Sequence, residues 1–261
     1  MGANLFRRRW RGIMGLIIGL AVFYAILCAL LFAFQRQLIY HPQPSEGDTA
    51  DSRQSLLVDG IRLQLSVRPR NGPDALVYFG GNAEDVSQSL PDLSLAFPGH
   101  ALYLLHYRGF GGSEGSPSEE ALQADALALF DQVASHHPHV TVLGRSLGSG
   151  IAVRLASQRP ITRLILVTPF NSLAELARQR FALFPVDWLL QDRYESWRYA
   201  PRVRAPTRII AAGDDEVVPR ASTERLYAHF AAAVATLTLI PGTGHNTVSD
   251  SPDYLRALAA P

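Results

Sequence analysis

A chain of 261 residues with 48% hydrophobic content has enough apolar material for one sizeable core and lies outside the composition of disordered chains. Its formal net charge of +1 offers no broad basic surface, which argues against a nucleic-acid partner. The single cysteine, Cys28, excludes a disulfide framework within the chain and a cysteine-based metal cluster.

The first element is apolar and long. From Ile13 to Phe34 there is no charged residue, and at about 1.5 Å per residue a helix over this run crosses a hydrocarbon layer of about 30 Å. Arg7, Arg8, Arg9 and Arg11 precede it, while Arg36 alone follows closely. That bias places residues 1–12 in the cytoplasm and the bulk of the chain on the periplasmic or extracytoplasmic side. Trp10 and Tyr40 stand where interfacial aromatic residues are expected. A cleaved signal peptide would carry a shorter apolar region ending in a small-x-small step. Leu31-Phe32-Ala33-Phe34-Gln35-Arg36 has no such step, so the run 13–34 reads as an uncleaved transmembrane anchor. Cys28 reads as an apolar residue of that helix. Residues 35–52, with Pro42, Pro44 and Gly47, read as a linker to a domain over 53–261.

Leu56-Leu57-Val58 and Ile61 to Leu65 flank Asp59-Gly60, a strong hairpin signal. Short apolar runs of strand length follow at Ala75–Phe79, Ala101–His106, Val140–Leu143, Leu164–Val167, Arg208–Ala211 and Thr236–Ile240. Helical patterns lie between them at Ser118–Ala134, with Ser118 at the N-cap, then at Ser146–Ser157 and Ala221–Ala231, and Asp253–Ala259 follows the last strand. A leading hairpin and then strand–helix alternation predicts an α/β domain, a mostly parallel sheet with helices on both faces. The stretch from Phe170 to Arg204 is longer than one crossover needs. It reads either as a small cap over a site or as an amphipathic helix packed on the core.

The chemistry is carried by Gly144-Arg145-Ser146-Leu147-Gly148, a G-x-S-x-G between a predicted strand and a predicted helix. A nucleophile elbow needs that context, and its tight turn needs small residues two positions either side of the serine. Serine is a weak nucleophile at neutral pH. It needs a base, and the base needs an orienting acid. On this architecture the partners follow in the order Ser, Asp or Glu, His, each in a loop after a strand. His245 stands in such a loop, Gly242-Thr243-Gly244-His245, and is the candidate base. Three acids, Asp214, Asp215 and Glu216, follow the strand before it. Asp215 is preferred over Asp214, with Glu216 third. Oxyanion donors are expected from the backbone N–H of Leu147 and from that of Asn82, in the Gly80-Gly81-Asn82-Ala83 loop after the strand Ala75–Phe79.

These pieces together resemble the α/β-hydrolase superfamily over about residue 53 onward, and more narrowly its membrane-anchored, serine aminopeptidase-like branch. That branch has a Y-R-G-x-G-x-S-x-G segment, matched closely by Tyr107-Arg108-Gly109-Phe110-Gly111-Gly112-Ser113-Glu114-Gly115, and a short signature after the anchor, similar to Gln35-Arg36-Gln37-Leu38-Ile39-Tyr40-His41-Pro42. Two departures stand out. Gly80 replaces the usual histidine of an H-G-N-A oxyanion loop, and the glycine of Ala212-Gly213-Asp214-Asp215 is shifted by one. Aligning Glu216-Val217-Val218-Pro219 with the family still puts the acid on Asp215. The resemblance implies hydrolysis of ester or thioester bonds in a small acyl or lipid-like substrate, with no cofactor and no metal. The Tyr107-Arg108-Gly109 segment is expected to be structural or to line the site. The competing class is a non-catalytic membrane protein that keeps the fold for binding or scaffolding. The filled Ser146, Asp215 and His245 positions argue against it.

Overall fold

The computed structural model describes residues 2–49 and 51–260, with side chains from Arg9 onward. The side chains of Arg7 and Arg8, together with Met1, Ala50 and Pro261, lie outside the described residues. Helix α1 runs over Gly2–Ile39, beyond the 13–34 expected, because no helix-breaking residue intervenes until Pro42. Its Arg9–Ile39 stretch holds an 18-residue window with a mean hydropathy of 2.8 and is a candidate membrane span. Leu16, Ile17, Leu20 and Phe23 are all more than half exposed on it. Apolar side chains left open on several sides of a helix suit a lipid surrounding better than water.

Strands β1 (Arg53–Val58) and β2 (Ile61–Arg68) form the expected hairpin, with Val58 opposite Ile61 and positive φ at both Asp59 and Gly60. That is the combination a two-residue type I′ turn requires. The sheet continues with β3 (Asp74–Phe79), β4 (Ala101–His106), β5 (His139–Arg145), β6 (Arg163–Val167), β7 (Thr207–Ala212) and β8 (Ala235–Ile240). The eight strands lie in the order β1-β2-β4-β3-β5-β6-β7-β8. β2 runs antiparallel to both of its neighbours and the remaining pairs are parallel.

Alternation along each strand divides the core between two faces. Val77 and Phe79 of β3 and Val142 of β5 join Leu122 and Leu129 of α3 (Glu119–Ala134), Ile151 of α4 (Leu147–Ala156) and Leu226 of α7 (Arg220–His229). Leu76, Tyr78 and Leu143 point the other way, to Leu93 of α2 (Leu90–Ala96) and to Tyr254 and Leu258 of α8 (Pro252–Ala259). Burial on both faces is why the parallel strands read as continuous apolar runs.

One segment departs from expectation, and another takes one of the two forms its sequence left open. Residues 40–49, expected as part of a linker, are strapped to the domain. His41 N–H donates to Asn82 O at 2.9 Å, Gly111 N–H to Gln43 O at 2.8 Å and Gly47 N–H to Ser87 Oγ at 2.9 Å. Tyr40 is buried and its hydroxyl donates to Asp192 at 3.0 Å. Proline and glycine mark irregular backbone, and irregular backbone can be as well bonded as a helix. Between β6 and β7, residues 170–204 form short helices, α5 (Leu173–Arg180) and α6 (Val186–Leu189), followed by two single 3-10 turns. They make a cap that packs against α1: Gln35 Nε2 donates to Leu189 O at 3.0 Å, Gln191 N–H donates to Gln35 Oε1 at 2.7 Å, and Arg36 pairs with Asp192 at 3.1 Å.

Candidate active site

Chain direction across the sheet reverses at β3, with β4 on one side and β5 on the other, and the crevice at the carboxyl ends of β3 and β5 is where α/β sheets hold ligands. The loop after β5 carries Ser146. Its backbone, at φ 49° and ψ −116°, is strained for a residue with a side chain. A Cβ on Gly144 would lie 2.7 Å from the Ala152 Cβ, and one on Gly148 would lie 2.7 Å from the Gly80 carbonyl oxygen. Both distances are inside van der Waals contact, so the turn closes only with glycine on either side of the serine.

The three residues proposed from sequence meet here. His245 Nε2 is 2.8 Å from Ser146 Oγ, and His245 Nδ1 is 2.9 Å from Asp215 Oδ2. With the ring proton on Nδ1, the imidazole donates to Asp215 and accepts from the serine hydroxyl, so a proton can pass from oxygen to nitrogen. Asp215 and His245 side chains are 5% and 6% exposed, dry enough for their mutual attraction to be felt. Asp215 Oδ1 also accepts from the N–H groups of Val217 and Val218, at 3.0 and 2.7 Å, which fixes the carboxylate. Asp214 is exposed, and among the described residues only its backbone N–H is engaged, at 2.8 Å to Thr243 O. Glu216 does something the sequence did not suggest. Its carboxylate accepts from the backbone N–H of His245 at 3.0 Å, and that bond, with one from its own N–H, holds its pKa below the ordinary value.

Asn82 and Leu147 line one cavity with Ser146. Leu147 opens α4, where the first N–H groups have no partner within the helix and the helix dipole favours negative charge. Among the described residues neither the Asn82 nor the Leu147 N–H donates to another backbone carbonyl. The Asn82 side chain donates instead to Ile39 O at 2.8 Å, tying the loop to the end of α1.

Residues outside the proposed triad and oxyanion donors hold this loop in place. Glu84 accepts from Gly81 N–H at 2.7 Å, Tyr78 OH at 2.6 Å and Ser89 OH at 2.8 Å, and pairs with Arg145 at 3.4 Å. Burial, then the nearby Glu84 charge, pushes the Tyr78 pKa well up, so its hydroxyl stays a donor. Tyr107 OH donates to Gly80 O at 2.8 Å, and Gly148 N–H donates to the same carbonyl at 3.1 Å. The expected structural role of the Tyr107-Arg108 segment thereby acquires a contact, and Arg108 adds a bidentate pair to the fully buried Asp125. At Gly80, a Cβ would lie 2.5 Å from Val86 Cγ1, so a histidine there would require the loop to shift.

Two cavities meet at Ser146. One of about 560 Å³ is mainly apolar and runs between α1 and the cap, past Leu38, Leu176, Phe184 and Leu189. The other, of about 570 Å³, is lined by Glu84, Asp85, Asp92, Arg145 and His245 and is distinctly more polar. Among the described residues, no group of three or more His, Cys, Asp or Glu is arranged to hold a metal ion.

Residues 92–199 match the family described as serine aminopeptidase, S33. An uncharacterized protein of Mycobacterium tuberculosis is 37% identical over 233 residues, spanning 83% of this chain and 82% of that protein. Protein bem46 of Schizosaccharomyces pombe is 25% identical over 274 residues, 92% and 90% of the respective chains. The solved structure of Est1E from Butyrivibrio proteoclasticus with ferulic acid bound superposes with a TM-score of 0.66 at 16% identity, over 79% of this chain and 96% of that one. With that sheet order, that strained serine turn and these relatives, the chain belongs to the α/β-hydrolase superfamily and, within it, to the serine aminopeptidase-like hydrolases.

Proposed function

We propose that this hydrolase cleaves ester or thioester bonds through an acyl-enzyme on Ser146, and that residues 13–34 anchor it in a membrane with residues 53–261 on the extracytoplasmic side. The observation that carries the reading is the single imidazole of His245 bridging Ser146 at 2.8 Å and Asp215 at 2.9 Å. His245 takes the serine proton as Ser146 Oγ attacks the acyl carbonyl. Asp215 stabilises the imidazolium that forms. The N–H groups of Asn82 and Leu147 receive the developing oxyanion. His245 then returns the proton to the leaving alcohol or thiol, and water, deprotonated by the same imidazole, releases the acid.

The two cavities support a division of the substrate at the scissile bond. The apolar one suits an acyl chain, and the polar one, with three carboxylates and Arg145, suits a hydrophilic leaving group.

Fluorophosphonate labelling of the detergent-solubilised chain tests the reading. Wild type labels, Ser146→Ala does not, and His245→Ala labels much more slowly. Folded wild type that stays unlabelled between pH 6 and 9 would sink it.

A further inference from the structure

The cap reaches far along α1. It is bonded to Gln35 through Leu189 O and Gln191 N–H, and again to Tyr24, whose hydroxyl donates to Leu183 O at 2.8 Å. The Tyr24 ring stacks on Phe184 with centroids 5.7 Å apart. Three turns of helix separate Gln35 from Tyr24, about 16 Å at 1.5 Å per residue. Gln35 lies one residue past the apolar run, so Tyr24 sits near the middle of a hydrocarbon layer of about 30 Å.

Several backbone groups of the cap tip are satisfied within the protein, and Arg180 lies beside them at the cavity wall. Phe181 N–H donates to Ala177 O, Phe184 N–H to Phe181 O and Val186 N–H to Phe184 O. The Leu183 carbonyl, which lipid could not satisfy, has the Tyr24 hydroxyl. Outward from this frame stand Leu183, 84% exposed, and Trp188, 87% exposed. Trp188 precedes Leu189, which bonds to Gln35, so it lies at the interface level where tryptophan is favoured. Asp187 beside it is paired with Arg178 and Arg193. The apolar cavity lies between these same two elements, walled by Leu31 and Leu38 of α1 on one side and by Phe181 and Phe184 on the other, and it reaches Ser146.

We propose that the cap dips into the bilayer beside α1 and that the cavity between them admits an acyl chain directly from the hydrocarbon layer, so that the substrate is a long-chain acyl lipid resident in the membrane. The proposal rests on the membrane-anchor and acyl-hydrolase reading above. It adds where the substrate comes from and which residues meet the lipid.

The test uses the full chain in phosphatidylcholine nanodiscs, with Trp10→Phe and Trp197→Phe leaving Trp188 as the reporter. Lipids brominated on the acyl chain quench Trp188 and aqueous acrylamide does not. Red-shifted emission quenched by acrylamide alone overturns the proposal while leaving the anchor intact. Release of the chain from membranes by alkaline carbonate overturns the anchor and this proposal together. In a second arm, Leu183→Asp with Trp188→Asp, neither of which lines the cavity, lowers hydrolysis of a long-chain monoacylglycerol in the disc at least about tenfold, given the penalty for an acidic side chain at that depth. Turnover of soluble p-nitrophenyl acetate by the same variant stays within about twofold, an effect under ~0.5 kcal/mol. Equal loss on both substrates, or none on either, refutes bilayer entry. A wild type that fails fluorophosphonate labelling defeats the hydrolase reading instead, and Trp188 quenching still decides where the cap lies.

Discussion

Glu84 is the residue whose removal most directly probes how the proposed oxyanion loop is held. Its carboxylate serves four donors: Gly81 N–H and Arg145 on Oε2, Tyr78 OH and Ser89 OH on Oε1. Hydrogen bonds to a charged group are worth about 1.5–3 kcal/mol each. The two hydroxyls can turn to other partners, whereas the Gly81 N–H and the half-buried Arg145 have no such freedom. Glu84→Ala therefore loses two bonds outright and destabilises the fold by roughly 3–5 kcal/mol, the scale of a broken buried ion pair. The neighbouring Asn82 N–H then loses its fixed aim. Removing one oxyanion donor altogether costs about 10²–10³ in kcat. Gly80 O stays bonded to Tyr107 OH and Gly148 N–H, so the loop is loosened and not lost, and the fall is about 10–100-fold, or ~1.4–2.7 kcal/mol. Glu84→Gln can keep its amide oxygen on Gly81 and point its NH2 at the two hydroxyls, which accept as well as donate. That variant stays within about fivefold of wild type, ~1 kcal/mol. Turnover of a soluble p-nitrophenyl ester, with kcat and KM measured separately and folding checked by circular dichroism, reads the effect, which falls on kcat. Wild-type kcat in folded Glu84→Ala, or a glutamine variant as slow as the alanine one, would refute the pinning role.

Two other perturbations separate roles that the sequence leaves adjacent. Asp215→Asn should lower kcat by about 10⁴, ~5.5 kcal/mol, because the amide favours the wrong imidazole tautomer, whereas Asp214→Asn, exposed and without a side-chain bond to His245, should leave kcat within about twofold; ester kinetics on both variants decide the assignment. A pH effect on stability should come from His106, buried beneath the strap with Nε2 2.8 Å from Ser66 Oγ and 3.4 Å from Asp48. Burial, the largest influence, lowers its pKa below the ordinary 6.5 despite the pull of Asp48 and Asp85. The unfolded chain therefore binds the proton first, so stability is present above about pH 6.5 and is lost as pH falls toward the lowered folded value. His100, also lowered chiefly by burial, adds to this slope, and Glu119, raised chiefly by burial, opposes it at lower pH. Thermal melts from pH 7.5 to 5 should show a falling midpoint in wild type and a shallower fall in His106→Gln; identical slopes would remove His106 from the account.

Much of this protein is written locally. Period-two alternation around Asp59-Gly60 determines a hairpin because the turn and the register follow from neighbouring residues. Strands β3 to β8 were visible as short apolar runs because burial on both faces leaves no polar alternation, and their ends moved by only a residue or two, whereas β1 and β2 each run three residues beyond the expected hairpin arms. α2 escaped notice, being seven residues long with a proline in its first turn and only Leu93 fully buried. The convergence of Ser146, Asp215 and His245 was legible because each sits just after a strand, and on a parallel sheet those points meet at one edge.

What converges from elsewhere could only be decided by the folded chain. Glu84 is three residues from Gly81, yet nothing in its type says that it folds back onto that N–H and also meets Arg145, 61 positions away. The choice of Asp215 over its neighbours rests on side-chain direction: Asp215 faces the imidazole, Asp214 faces solvent and Glu216 caps the backbone of His245. The apolar cavity depends on α1 and the cap lying side by side, through Tyr24 to Leu183, Gln35 to Leu189 and Arg36 to Asp192. Those pairs span more than 150 residues. Periodicity and turn chemistry report the neighbours of a residue along the chain, whereas such contacts are set by packing, where hydrophobic burial brings distant surfaces together and leaves polar side chains to find partners across the seam.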